Sequence, residues 1–366
     1  MFSLHLHTAP AWRGGHDQVL HTVMGLRSLG HRAELVAHPD GELRRHAREG
    51  LDLIPLAAER DMDFRAGMRL ARVLRRLRPD LLHAHDPLAV GMASVAISFN
   101  SRLPPPLLVA SRRGDVRVKQ NAFSRWKHGQ VDAFICTSDA TRARVLAEGV
   151  RADDAFTVHE GIDLGRVDAA HVIDVRKELI LPHGAPLVVA VGALVPQKGH
   201  STLIDAMRFV LPEVPDARLV ILGEGELHMA LDTQVRQLGL EGHVRLAGLR
   251  PDVLSVLKGA DLFVVPATHE GIGTSLLEAM ACGLAVVASR TNGIAEVIRH
   301  EWNGLVVEPR DQRALAAGVA ELLRDAPRRQ RFGAANRARI ETHFSVERMV
   351  RETLAVYRAV AARHAR

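Results

Sequence analysis

Apolar residues in this chain gather into short, nearly uninterrupted runs, separated by longer stretches where they recur every three or four positions. Thirteen runs stand out: LHL (4–6), AELVAH (33–38), LDLIPLA (51–57), LLHAH (81–85), PLLVAS (106–111), DAFICTS (132–138), AFTVHE (155–160), PLVVAVGAL (186–194), ARLVILGE (217–224), HVRLAG (243–248), DLFVVPA (261–267), LAVVAS (284–289) and GLVVEP (304–309). Runs this short, rich in Val, Leu and Ala with few alternating polar positions, predict parallel strands buried on both faces. The 3.6-residue periodicity between them predicts crossover helices, so the fold class is α/β with two doubly wound, Rossmann-like domains.

The pattern lapses between Gly161 and Pro186 and restarts strongly afterwards, which places a boundary near Asp168. The expected division is an N-terminal domain over 1–168, a second domain over 169–344 and a terminal helix over 345–366, where apolar residues keep helical spacing and the chain ends in basic residues. A length of 366 residues exceeds one ordinary core and suits two. No fixed-period repeat or low-complexity segment interrupts this reading.

Composition narrows the function classes. Hydrophobic residues make up 47% and charged residues 25%, as in globular protein rather than a disordered or membrane-spanning chain. The 48 Lys and Arg against 42 Asp and Glu leave +6, which admits anionic partners. Only 4% of residues are aromatic, too few for a stacking groove, so nucleic acid is set aside. Cys136 and Cys282 are too few and too distant for a disulfide framework or a zinc knuckle, which fits a reducing cytoplasm. The start MFSLHLHTAP has no basic lead and no long apolar core, and no apolar run approaches the roughly 18 to 20 residues of a membrane span.

Several loops carry candidate chemistry. Gly14 and Gly15 follow the first strand and precede an amphipathic helix, a place where backbone amides can approach an anion, or simply a tight turn. In VAVGALVPQKGHSTLIDAM, Gly192 turns at a strand end, and Lys198 and Gly199 precede a helix that Ser201 or Thr202 could cap. There Lys198 would meet a diphosphate through both charge and helix dipole.

The densest segment is VVPATHEGIGTSLLEAMACGLAVVAS, with Glu270 and Glu278 eight residues apart. With a helix starting near Thr274, Glu270 lies in the loop and Glu278 in the first turns, bracketing the amides of Gly271, Gly273, Thr274 and Ser275. Carboxylates accept sugar hydroxyls while amides hold phosphate oxygens, so one segment could grip a nucleotide sugar. Ser275 and Glu278 also match a capping box, which needs no ligand. Downstream, Asn292 and Gly293 read as a turn and Glu296 enters a helix, continuing the same strand-end edge.

Together these segments resemble the GT-B retaining glycosyltransferases of family 4. The likeness runs from the paired glycines through GALVPQKGH, LGEGE, HEGIGTSLLEAMACGLAVVAS and NGIAEV to the closing helix. It implies two Rossmann-like domains facing across a cleft and a retaining transfer from a nucleoside diphosphate sugar as co-substrate, with no cofactor; no DxD-type pair stands where a metal-dependent sugar transferase would need one, so a metal-independent enzyme is expected. The acceptor would be a hydroxyl of a lipopolysaccharide, glycolipid or polysaccharide precursor. By the resemblance Glu270 contacts the transferred sugar, Glu278 the ribose and Lys198 the diphosphate. Gly223, Glu224 and the residues to Glu226, with Leu249 to Asp252, line the base pocket, and the tail helix crosses back onto the first domain.

Two departures stand out. Many relatives have Arg after the strand-end glycine, where this chain has Ala193, and many carry a histidine after the fifth strand, where this chain has Ser111, Arg112 and Arg113. The two arginines are candidates for an anionic acceptor or a phosphate. These departures keep two alternatives open: a non-catalytic nucleotide-sugar-binding protein, and a sugar-nucleotide epimerase of the same fold.

His83 and His85 share one strand face beside Asp86, and lining a cleft is preferred to metal binding because two such residues make half a zinc site. Between Arg102 and Lys127 stand seven basic residues against Asp115 alone, and Arg65, Arg69, Arg72 and Arg76 recur opposite Met68, Ala71 and Leu74. That pattern fits peripheral contact with the inner face of an anionic membrane, and equally a solvated basic face.

Overall fold

The computed structural model of the chain describes all residues except 11–13, 47–50, 52, 62, 101–104, 114–121 and 365–366. It divides into two compact units, one comprising Met1–Gly161 with Val346–Arg366 and the other Ile162–Ser345.

Among its described residues the first unit holds seven strands: β1 (Phe2–His7), β2 (Arg32–Ala37), β3 (Leu53–Pro55), β4 (Leu81–Ala84), β5 (Leu107–Arg112), β6 (Ala133–Cys136) and β7 (Ala155–Thr157). They lie in the order β3-β2-β1-β4-β5-β6-β7, and every pairing is parallel. Parallel neighbours need crossovers, and the intervening apolar-faced helices supply them on both faces. One face is sealed by the helices Gly14–Ser28 and Val346–His364, whose Val19, Val23, Leu26, Val350, Leu354 and Tyr357 pack in one cluster with Leu35, Leu81 and Val109. The other face is covered by Phe64–Leu77 and Pro87–Ser98, with Leu70, Leu74, Met92 and Ala96 against Leu82 and Leu108.

The second unit holds β8 (Leu187–Val191), β9 (Arg218–Leu222), β10 (Val244–Leu246), β11 (Leu262–Val265), β12 (Ala285–Ser289) and β13 (Leu305–Val307), in the parallel order β10-β9-β8-β11-β12-β13. The order reverses between β8 and β11, which defines a switch point where the crevice at the strand carboxyl ends collects ligands in folds of this kind. Most of its strand residues are buried, Val188, Val220, Phe263 and Val287 completely, as expected when helices flank both faces.

The division falls between Gly161 and Ile162 rather than near Asp168. The aperiodic stretch is part of the second unit: Val167 and Val175 are buried in its core, and Asp168 accepts from Arg337 at 2.8 Å. Apolar contacts at irregular spacing hold this segment, which is why periodicity misses it. Met68 also departs from expectation. It is 46% exposed on the arginine side of its helix, while Ala66, Gly67, Leu70, Ala71 and Leu74 form the buried stripe.

Candidate functional site

In the second unit, β8 is followed by Gly192, which lies beneath Lys198 and His200: a β-carbon on this glycine would stand 3.4 Å from Lys198 Cδ and 3.6 Å from His200 Nε2. A single turn, Pro196–Lys198, delivers the lysine, and Gly199 follows with φ +69. A side chain at Gly199 would collide with the Pro266 carbonyl 2.0 Å away, so glycine is required both for the left-handed backbone and for this approach. The next helix, His200–Val210, takes Gly199 as its N-cap, not Ser201 or Thr202.

The loop after β11 brings Glu270 to the same place, where its carboxylate pairs with the Lys198 ammonium. The helix Thr274–Ala281 starts where the sequence placed it, with Gly273 at its N-cap and no side-chain cap, so its dipole faces the strand ends. Ser275 is inside the helix and its hydroxyl donates to the Val191 carbonyl at 3.3 Å, so the capping box is not formed. Glu278 lies 3.7 Å from the Arg166 guanidinium. Asn292 and Gly293 open a helix capped by Thr291 rather than forming a turn. Gly293 is small because the Gly271 backbone presses on it, 2.3 Å from where a β-carbon would stand.

Gly223 and Glu224 follow β9. The Gly223 amide donates to the Gly248 carbonyl at 2.8 Å, and the Leu194 amide donates to the Glu224 carbonyl at 2.8 Å, which brings the ends of β8, β9 and β10 together. Leu249 beside them is 74% exposed. Lys198, Glu270, His200, Gly273 and Ser275 surround a recess of only about 10 Å³.

Sequence reasoning missed His200. Its ring is buried and neither nitrogen makes a well-formed hydrogen bond. Burial pushes its pKa down to about 4 against a small opposing pull from the Gly192 backbone. A neutral, under-used imidazole behind Lys198 is suited to a ligand oxygen. Its signal was its place directly after the lysine and glycine, which a lone histidine among 20 did not raise.

In the first unit, Gly14 and Gly15 open the helix Gly14–Ser28. His85 is buried at the end of β4, and Asp86 beside it accepts from the Thr8 amide at 2.6 Å and the Ala89 amide at 2.9 Å, tying β1 to a helix start. Arg112 lies 3.3 Å from Glu148 and Arg113 3.3 Å from Glu160. Burial lowers the Arg113 guanidinium from its ordinary value, opposed by Glu160 and Asp86. Arg112 borders a cavity of about 340 Å³ whose lining includes His128, Arg151, Glu148 and Asp154, a balance of both signs. Of the 102–127 segment, residues 102–104 and 114–121 lie outside the described residues.

The family of glycosyl transferases group 1 matches residues 173–339, and Glycosyltransferase Family 4 matches residues 12–166. A GDP-mannose-dependent alpha-(1-6)-phosphatidylinositol monomannoside mannosyltransferase of Mycobacterium tuberculosis is 30% identical over 351 residues, covering 90% of this chain and 83% of the relative. The chain belongs to the group 1 glycosyltransferases. A second relative of this glycosyltransferase, the lipopolysaccharide core biosynthesis glycosyltransferase LpsE of Rhizobium meliloti, is 29% identical over 344 residues, 90% of this chain and 91% of the relative. HepE of Anabaena, solved in complex with UDP, superposes with a TM-score of 0.85 at 19% identity over 98% of this chain and 100% of HepE, which establishes the shared fold. Among the described residues of the glycosyltransferase no helix is long and apolar enough to cross a membrane.

Proposed function

We propose that this glycosyltransferase moves a sugar from a nucleoside diphosphate sugar to a hydroxyl of a lipopolysaccharide or related glycolipid precursor, with retention at the anomeric carbon and without a metal ion. The observation that carries the reading is the meeting of Lys198 and Glu270 beside the uncapped start of the helix at Thr274. When the pair parts, Lys198 and the helix amides would take the charge developing on the departing diphosphate, and Glu270 would accept a hydroxyl of the transferred sugar. Glu278 would receive the ribose hydroxyls and the segments at Gly223 and Leu249 the base. Metal independence is supported by the two carboxylates being matched by cations, Lys198 and Arg166, in place of an acidic cluster. The donor class is supported by HepE, solved with UDP, and by the GDP-mannose-dependent mycobacterial relative.

Contact with an anionic membrane is part of the proposal. Arg65, Arg69, Arg72 and Arg76 are exposed on Phe64–Leu77 and form no ion pair among the described residues, and Phe64 and Met68 stand exposed beside them. Sedimentation with anionic but not zwitterionic vesicles, weakened by salt, is expected; equal recovery with both would remove this part.

The reaction is tested by incubating single UDP, GDP and ADP sugars with and without a truncated lipopolysaccharide and analysing products. An acceptor-linked sugar with the donor's anomeric configuration is expected. An isomeric nucleotide sugar formed without acceptor would mark an epimerase, and donor binding with no turnover a binding protein.

A further inference from the structure

The first unit holds a largely buried line of hydrogen-bonding side chains inside its sheet. His5 of β1 is in register with His83 of β4, and His85 follows two residues on. Ser3 Oγ meets His5 Nε2 at 3.0 Å, His5 Nδ1 meets His85 Nε2 at 3.0 Å, and Ser111 Oγ lies 3.5 Å from His85 Nδ1 and 2.8 Å from His83 Nε2. His83 Nδ1 meets the Tyr357 hydroxyl at 2.5 Å. Nitrogens of His5, His83 and His85 lie within 4.8 Å of one another, close enough for a shared metal ion. Yet every ring nitrogen except His85 Nδ1 already stands within 3.0 Å of a hydroxyl or another ring, so these nitrogens have partners other than an ion.

Tyr357 is 1% exposed, and His83 Nδ1 is the only hydrogen-bond partner of its hydroxyl among the described residues. A buried phenol that did not donate would leave its proton unsatisfied, so Tyr357 donates and His83 Nδ1 accepts. Burial holds His83 neutral, with smaller contributions from His5 and Arg113, so its single proton is on Nε2 and is donated to Ser111 Oγ. Ser111 has then used its oxygen as an acceptor, and its own hydrogen points onward. Among the described residues its one internal receiver, His85 Nδ1, is at 3.5 Å, too long for a strong O–H···N bond. Ser111 is also the partly exposed member of the line, near the carboxyl end of β5, at the edge where open parallel sheets bind ligands.

We propose that Ser111 is a recognition residue for the hydroxyl acceptor, presenting its hydrogen to a lone-pair oxygen of the acceptor sugar, and that His83 and Tyr357 are positioning residues that hold it as a donor. The inference rests on the transferase reading above. The rings behind Ser111 are poor bases, so the line transmits orientation and not protons: burial of His5 lowers its pKa to about 3.

Two measurements on the full chain test it. Nitrogen-15 spectra of the imidazoles between about pH 8 and 5 need no substrate. They are expected to show His83 as the Nε2–H tautomer without titration, and to lose that fixed tautomer in Tyr357→Phe. His83 protonated on Nδ1, a titrating His83, or metal found bound by elemental analysis would overturn the proposal. In transfer assays with octyl α-glucoside, α-mannoside and α-galactoside as acceptors, Ser111→Ala and Tyr357→Phe are each expected to raise the acceptor KM about 3- to 10-fold. The thermal shift given by the donor should stay unchanged, and the double variant should be no worse than Ser111→Ala alone. Losses that multiply, or an unchanged KM, would overturn it. A wild-type protein with neither a donor thermal shift nor transfer would sink the transferase reading instead, leaving the tautomer result to stand or fall by itself.

Discussion

At the scale of single residues, the site is a set of charges held by neighbours of opposite sign. Lys198 and Glu270 pair with each other, and Glu278 lies near Arg166, so the groups expected to grip a donor are matched in charge before it arrives. Lys198→Ala removes the cation that would meet the diphosphate and leaves a carboxylate facing it. Glu270→Ala removes a sugar contact and frees the lysine. Each variant is expected to lower turnover by one or more orders of magnitude, read from initial rates at saturating donor. Full rates in both would show that the chemistry lies elsewhere. The sequence singled out Lys198 and Glu270 as charged residues in glycine-rich loops at strand ends and Glu278 as a helical carboxylate eight residues on, but their roles came from the family resemblance, and the pairing of Lys198 with Glu270 is a contact across 72 residues that no local pattern encodes. His200 was not legible, since its interest comes from burial over Gly192, which its place directly after Lys198 and Gly199 does not announce.

At the scale of elements, the loops hold their shape through glycines that let backbones touch. Gly199→Ala would place a β-carbon 2.0 Å from the Pro266 carbonyl at a φ of +69. It is expected to destabilise the second unit by about 2 kcal/mol or more and to shift Lys198. Denaturant unfolding would measure this, and an unchanged midpoint would contradict it. The thirteen strands among the described residues were readable, because runs such as LVVAV and RLVIL are bounded by Gly, Pro or charged residues and buried on both sides. Helix starts were less readable. Asn292–Gly293 looks like a turn in isolation, but Thr291 caps it into a helix, and Ser275 looks like a cap but lies one residue inside. The choice depends on which strand the segment packs against, as with Ser275 and Val191.

At the scale of the whole molecule, the two units differ in how acid reaches them. In the first, burial pushes His5 to about 3, His7 to about 4 and His83 and His85 well below the ordinary value, while in the second His200 falls to about 4. For each, the unfolded chain takes up a proton below about pH 6.5 that the folded chain refuses until its lower pKa. The stabilisation is therefore complete above that pH and lost as pH falls towards about 4. Each such group costs about 1.4 kcal/mol per pH unit inside the window. Acidification from pH 7 to 5 should thus loosen the first unit more than the second, read by peptide-resolved hydrogen exchange corrected for intrinsic rates. Equal loosening would contradict it.

The central claim is that the strand-end edge around Lys198 and Glu270 binds an activated sugar. It is tested most directly by thermal shift of the full chain with UDP, GDP, ADP and their sugars, for the wild type and for Lys198→Ala. One nucleotide series should raise the wild-type melting point, and the same ligands should lose most of that shift in the variant, whose own melting point stays close to wild type. No shift with any nucleotide, or an equal shift in both proteins, would contradict the account.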